Sequence, residues 1–374
     1  MKSDLTLPQS HTSATTYSQA ALIAVLAVIA TKFCTLPSVL AGIAGSKAVW
    51  AALILAVIEL AVLGFALSVA KRGGISALPL KKGVRALVSI LFLTFFWLKL
   101  TALSREIATY FALSLFENVA VLPILILLLV TAALLADKGY AAIGRMLEIA
   151  LWLFLFVIIF VLVFTRTEGD LFNALGMFSP DLTGLGEGVY KAMAWYGDGA
   201  IVAFLDLSGE RLLSPAEKKA RGKVTFAAVL ASLVIVVTFY AVFTSVYGDA
   251  AKMTDYAFIK LSAFKANSDE LGSADWPVII LWSLISSMYL ALLFASGKEC
   301  IRAIGGKADA RKGRILSFLL LGGAATALST LSLGEEGDYV GFMTRAMPVV
   351  TMIAAAATVG VGIYALRIEK EEKR

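Results

Sequence analysis

From Tyr17 to Leu366 the chain runs as long apolar blocks separated by short stretches rich in Lys, Arg, Gly and Pro. A bilayer core about 30 Å thick needs roughly 20 apolar residues per helix, and the blocks repeat at that length. The pattern predicts spans near 17–45, 47–70, 84–115, 119–136, 141–165, 188–207, 223–247, 274–296, 314–332 and 339–366. Three stretches carry no charge at all: Val224–Tyr247, Trp276–Ser296 and Ile315–Leu333. The expected fold is an all-α membrane protein of about ten transmembrane helices in a single domain. The first block stays as helix one rather than being removed as a signal peptide, because it runs on past Lys32 without a small-residue cleavage pattern.

Ten spans divide into five and five, and an odd number per half makes the second half enter the membrane from the opposite side. That is the arithmetic of an inverted repeat, here 17–165 and 188–366. Helices one and six are then equivalent, and both are interrupted near mid-membrane. Helix one carries Thr31-Lys32 and, soon after, Leu36-Pro37; helix six reads Tyr196-Gly197-Asp198-Gly199. A charge between two glycines is a poor way to continue a helix. Paired breaks point to a binding site, since unwound backbone offers free N–H and C=O groups. The alternative is a kink filled by a neighbouring side chain.

With 59% of residues hydrophobic and 16% charged, the chain is excluded from the soluble enzymes. Its one histidine, His11, lies in the polar leader, so no histidine-based metal centre or intramembrane protease is expected, and neither a cofactor nor a metal is implied. Cys34 in helix one and Cys300 in a basic loop fall at opposite faces, which argues against a disulfide. Lys and Arg are distributed unevenly, 23 on one side of the membrane against five in the opposing loops. By the positive-inside rule both termini are cytoplasmic. The net charge of +6 follows from that asymmetry and does not imply nucleic-acid binding.

A charge at the bilayer centre costs at least ~2.5–3.5 kcal/mol, so such residues face the interior and pair. Lys32, Glu59 and Asp198 fall near mid-depth, and Lys99 lies somewhat toward the outer face. Lys32 and Asp198 are expected to meet, with Glu59 or Lys99 beside them. Such a lysine can bind a ligand carboxylate, stand in for a coupling cation or carry protons; a static pair locking the helices is the alternative. Arg105, Glu106 and Arg345 lie near the outer helix ends and Glu148 near the inner end beside Arg145, where snorkelling or local pairing accounts for them. In helix eight, Ser283, Ser286, Ser287 and Tyr289 read mainly as packing residues. Thr254–Lys265, in the outer loop, has aromatic and aliphatic residues at helical spacing and reads as a short helix lying on the membrane surface, or else as a lid.

Several short motifs resemble the GerAB-type spore germination permeases, a branch of the amino acid–polyamine–organocation transporter superfamily. They are Gln19 followed by an apolar run to Leu36-Pro37, Leu103-Ser104-Arg105-Glu106, Gly139-Tyr140, and Ile143-Gly144-Arg145 with Glu148. The resemblance implies a LeuT-like fold and a small amino-acid-like ligand at the breaks. The residues placed there are Thr31, Lys32, Thr35, Tyr196, Gly197, Asp198, Gly199 and Ser286, with Glu59, Lys99, Arg105 and Glu106 as a coupling or charge network. It also implies a permease-like subunit of a germinant receptor in the spore inner membrane, beside two other receptor subunits. Where the family has a glycine-rich break in helix one, this chain has Ala30-Thr31-Lys32, which crowds the backbone cradle and adds a charge. A proton-coupled secondary amino acid transporter is the competing expectation.

Overall fold

The computed structural model describes residues 15–114, 119–165, 169–170, 173, 178, 180–208, 215–263, 275–305, 315, 317–331 and 336–372. Helix one is split into α1 (Tyr17–Ile29) and α2 (Leu36–Ala44). Then follow α3 (Ala48–Ala70), α4 (Lys82–Ser114), α5 (Val121–Asp137) and α6 (Tyr140–Thr165). The second half opens with α7 (Leu185–Ala192) and, after the interruption, a 3-10 segment Asp198–Phe204. It continues with α8 (Pro215–Tyr247), the short α9 (Ala257–Ala263) and α10 (Asp275–Gly305). A π-turn Phe318–Gly323 leads into α11 (Ala324–Leu331), and α12 (Glu336–Arg345) and α13 (Met347–Glu372) complete the chain. All the regular structure among the described residues is helical.

Six of the described spans are long and apolar enough to cross a bilayer by themselves, and the shorter apolar pieces belong to helices one, four and nine. The outer surface is the apolar one. Phe156, Leu127, Leu134 and Ile149 are each about two-thirds exposed or more, as lipid-facing side chains are. The charged side chains Lys32, Glu59, Lys99 and Asp198 are instead fully buried. This inversion of the soluble pattern is what makes the chain an integral multi-pass membrane protein.

Local sequence explains how helix one starts and resumes. Thr16 caps α1 through a reciprocal pair with Gln19, each side chain meeting the other's backbone N–H at 3.2–3.3 Å. Gln19 also packs against Gly144 of α6, where a Cβ would come within 2.7 Å of its own. Pro37 sits in the first turn of α2, a position where its missing N–H costs nothing. It therefore begins the second half-helix, whereas the sequence suggested that it helped to end the first.

Other expectations need correction. Cys300 lies buried inside α10, not in a loop, because that helix runs on to Gly305. Both cysteines are free and buried. Helix ten is interrupted at Ala346, and Pro348 opens α13 just as Pro37 opens α2. Thr254–Lys265 is not a surface helix. Ala257, Phe258, Leu261 and Ser262 of α9 are buried, and Phe258 packs among Phe33, Phe154 and Phe239. Phe264 and Lys265 lie outside the described residues.

Candidate functional site

The chain between α1 and α2, from Ala30 to Thr35, is not helical, so its carbonyls need partners from elsewhere. Tyr240 of α8 donates to the Lys32 carbonyl at 3.0 Å. The backbone N–H groups of Phe258 and Ala257 donate to the Phe33 and Cys34 carbonyls at 2.9 and 3.1 Å. The start of α9 is thus stitched directly onto the break in helix one.

The interruption in helix six is satisfied by side chains. Gly197 takes φ +80°, and a Cβ there would lie 2.7 Å from Thr351 Cγ2, so glycine is required on two counts. Its N–H donates to Glu59 Oε2 at 2.5 Å, and the Gly199 N–H donates to Glu59 Oε1 at 2.6 Å. One carboxylate from α3 therefore closes the N-terminal end of the 3-10 segment, where free N–H groups and the local dipole favour negative charge. Glu59 thus meets helix six through backbone N–H groups and forms no salt bridge among the described residues.

Two lysines close the other side. Lys32 Nζ reaches Asp198 Oδ2 at 3.1 Å, Thr31 Oγ1 at 3.2 Å and the Trp195 carbonyl, and it lies 4.6 Å from the centre of the Tyr196 ring. Lys99 of α4 donates to Asp198 Oδ1 and, at 2.9 Å, to the Tyr196 carbonyl. Tyr289 of α10 gives Asp198 Oδ1 another hydrogen bond, at 2.6 Å. Asp198 therefore joins helices one, three, six and eight. Two positive and two negative groups, Lys32, Lys99, Asp198 and Glu59, share one dry region, all fully buried.

A second buried carboxylate stands apart. Glu106 of α4 accepts from Thr35 at the start of α2 and, at 2.7 Å, from Tyr339 of α12. Between it and the first cluster lies a cavity of about 10 Å³, room for about one water, lined in part by Thr31, Cys34, Glu106, Ser286 and Tyr289. Of the residues expected at the site, Thr31, Lys32, Tyr196, Gly197, Asp198, Gly199, Glu59 and Lys99 meet around Asp198, while Thr35 and Glu106 form the neighbouring group. Ser286 lines the cavity between them. Arg105 is half-buried and takes no part in these bonds.

The sequence singles out Tyr289 only as a packing residue of helix eight, and it does not single out Tyr240 or Tyr339. Tyr240, Tyr289 and Tyr339 each deliver a hydroxyl to a break or to a buried carboxylate, yet a tyrosine in an apolar span reads as ordinary packing. Ser283 and Ser287 donate to carbonyls four residues back, at 2.5 and 2.8 Å, within their own helix.

No protein-family model matches the chain, and no curated protein matches it. Solved structures do. A manganese transporter of Eremococcus coleocola, in complex with an aromatic bis-isothiourea substituted compound, superposes with a TM-score of 0.55 at 12% identity, over 93% of this chain and 79% of that one. A Na+-coupled sialic acid symporter, in its substrate-bound outward-open state, gives 0.59 at 13% identity, over 90% and 78%. The fold is LeuT-like. At these identities the likeness extends to the fold alone, so the chemistry must be read from this chain's own residues.

Proposed function

We propose that the chain is a transporter-shaped membrane subunit that binds a small amino-acid-like nutrient where helices one and six are broken. In this reading it is the permease-like subunit of a spore germinant receptor and passes a conformational change to two partner subunits. The observation that carries the binding site is the sharing of Asp198 by Lys32 and Lys99 at the break in helix six. A ligand carboxylate reaching that point competes with Asp198 for Lys32, and the exchange releases Asp198 from helix one while Lys99 still holds it. Ligand chemistry is thereby linked to the contact between the two halves. In this orientation both termini are cytoplasmic and α9 covers the outer side.

A proton-coupled secondary amino acid transporter is the second reading, supported by the solved structures of this fold being transporters. Neither manganese nor sialic acid is carried over from them. Among the described residues no group of three or more His, Cys, Asp or Glu side chains stands together as a metal site. Two lysine ammonium groups at the breaks supply positive charge where a coupling cation would otherwise be needed.

Reconstitution separates the two readings. The purified chain in proteoliposomes, given a panel of radiolabelled amino acids, is expected to bind one of them saturably without accumulating it, in the presence or absence of an imposed proton gradient. Accumulation driven by the gradient would establish the transporter instead, and the absence of any binding across the panel would remove both.

A further inference from the structure

The reading above leaves Glu106 without a task. This carboxylate is 7% exposed and held by two hydroxyls and the Thr35 backbone N–H, yet among the described residues no lysine or arginine forms a salt bridge with it. By contrast, Asp198 has two cations and Glu59 two backbone N–H groups. A buried carboxylate of this kind carries a large desolvation cost that a cation offsets. One oxygen takes the Thr35 hydroxyl and the other Tyr339, and with the Thr35 N–H counted the carboxylate still has a lone pair available. The small cavity is lined by Glu106 and also by Thr31, whose hydroxyl is bonded to Lys32 Nζ. Trp282, which also lines the cavity and is 2% exposed, has a ring N–H without a hydrogen-bond partner among the described residues.

We propose that Glu106 is the ammonium subsite of the ligand site, receiving a primary amine while Lys32 and Thr31 meet the ligand's acidic end. This deepens the proposed function and rests on it for the location of the ligand. The ligand class is then a zwitterion, one cationic and one anionic group held across the cavity. At about 10 Å³ the cavity must widen on binding, and the elements free to move apart are those that Glu106 joins: α2 through Thr35 and α12 through Tyr339. An ammonium and a proton compete for the same oxygens, so amine binding weakens as pH falls. The other titratable or charged groups around Glu106 are Cys34 on helix one, Tyr339 on α12, Tyr289 on α10, Tyr256 before α9 and Arg105 on its own helix.

The test uses ethylammonium as a bare amine and propionate as a bare acid, titrated into the full-length protein in nanodiscs by calorimetry between pH 5 and pH 8. Ethylammonium is expected to bind wild type with an affinity that weakens as pH is lowered. Glu106→Gln should weaken it at least tenfold and abolish the pH dependence, while leaving propionate binding within twofold. Glu106→Asp, which keeps the charge on a shorter arm, should bind weakly and retain the pH dependence, and thermal unfolding of each variant reports folding. Equal ethylammonium binding by wild type and Glu106→Gln, or equal displacement by sodium, would overturn the proposal. Amino acids binding normally to Glu106→Gln would overturn it while leaving the ligand site at the breaks intact. Ethylammonium binding through Glu106 without any amino acid binding would instead leave the subsite standing and remove the nutrient reading.

Discussion

At the scale of single residues the site is an exercise in satisfying backbone. Gly197 combines a left-handed backbone with contact against Thr351. Gly197→Ala should therefore destabilise the protein by about 1–2 kcal/mol from the backbone alone, more with the overlap. Thr351→Ser in the same chain should return part of the loss in a thermal-unfolding measurement. Glu59→Gln swaps one acceptor oxygen for an amide donor, so one of the Gly197 and Gly199 N–H groups is left unpaired in a dry interior. A loss of about 1–3 kcal/mol is expected from the unpaired N–H alone, before the lost charge is counted, and full stability in that variant would contradict the role given to Glu59. Lys32, Asp198 and the two glycines were legible in the sequence because a charge or a glycine in an apolar run has few innocent explanations. The tyrosine hydroxyls were not, since their value lies in partners far along the chain, such as Tyr240 on the Lys32 carbonyl.

At the scale of elements, charge-bounded apolar blocks gave the spans well, because length and hydrophobicity are properties of each segment alone. Interruptions were harder. The one in helix ten was missed, although Pro348 marks it as Pro37 marks helix one. The segment α9 reads as a surface helix because six apolar or small positions in seven fit either a membrane surface or a packed interior, and only tertiary contact decides. Its burial makes a prediction. Phe258→Ala removes a ring packed against Phe33, Phe154 and Phe239 beside the break and should loosen the cover over helix one. In a Cys300→Ala background, alkylation of the buried Cys34 by a membrane-impermeant maleimide should speed up several-fold, whereas an unchanged rate would show that α9 does not guard the break.

For the whole molecule, the buried charges balance only as a set: Lys32 and Lys99 against Asp198 and Glu59. Removing one leaves an excess charge in a dry interior, which for a broken buried pair costs about 3–5 kcal/mol. Removing Lys32 and Asp198 together leaves Lys99 and Glu59, one of each sign, with Lys99 still bonded to the Tyr196 carbonyl. We infer that this balance holds the two halves together and that a ligand carboxylate draws on it through Lys32. The most direct measurement is the paired determination of thermal stability and amino acid binding in wild type, Lys32→Ala, Asp198→Ala and the double variant. The account predicts that both single variants are destabilised, that the double variant is more stable than either, and that neither variant lacking Lys32 binds. A double variant that recovers binding along with stability would reduce the pair to a structural lock and contradict the claim.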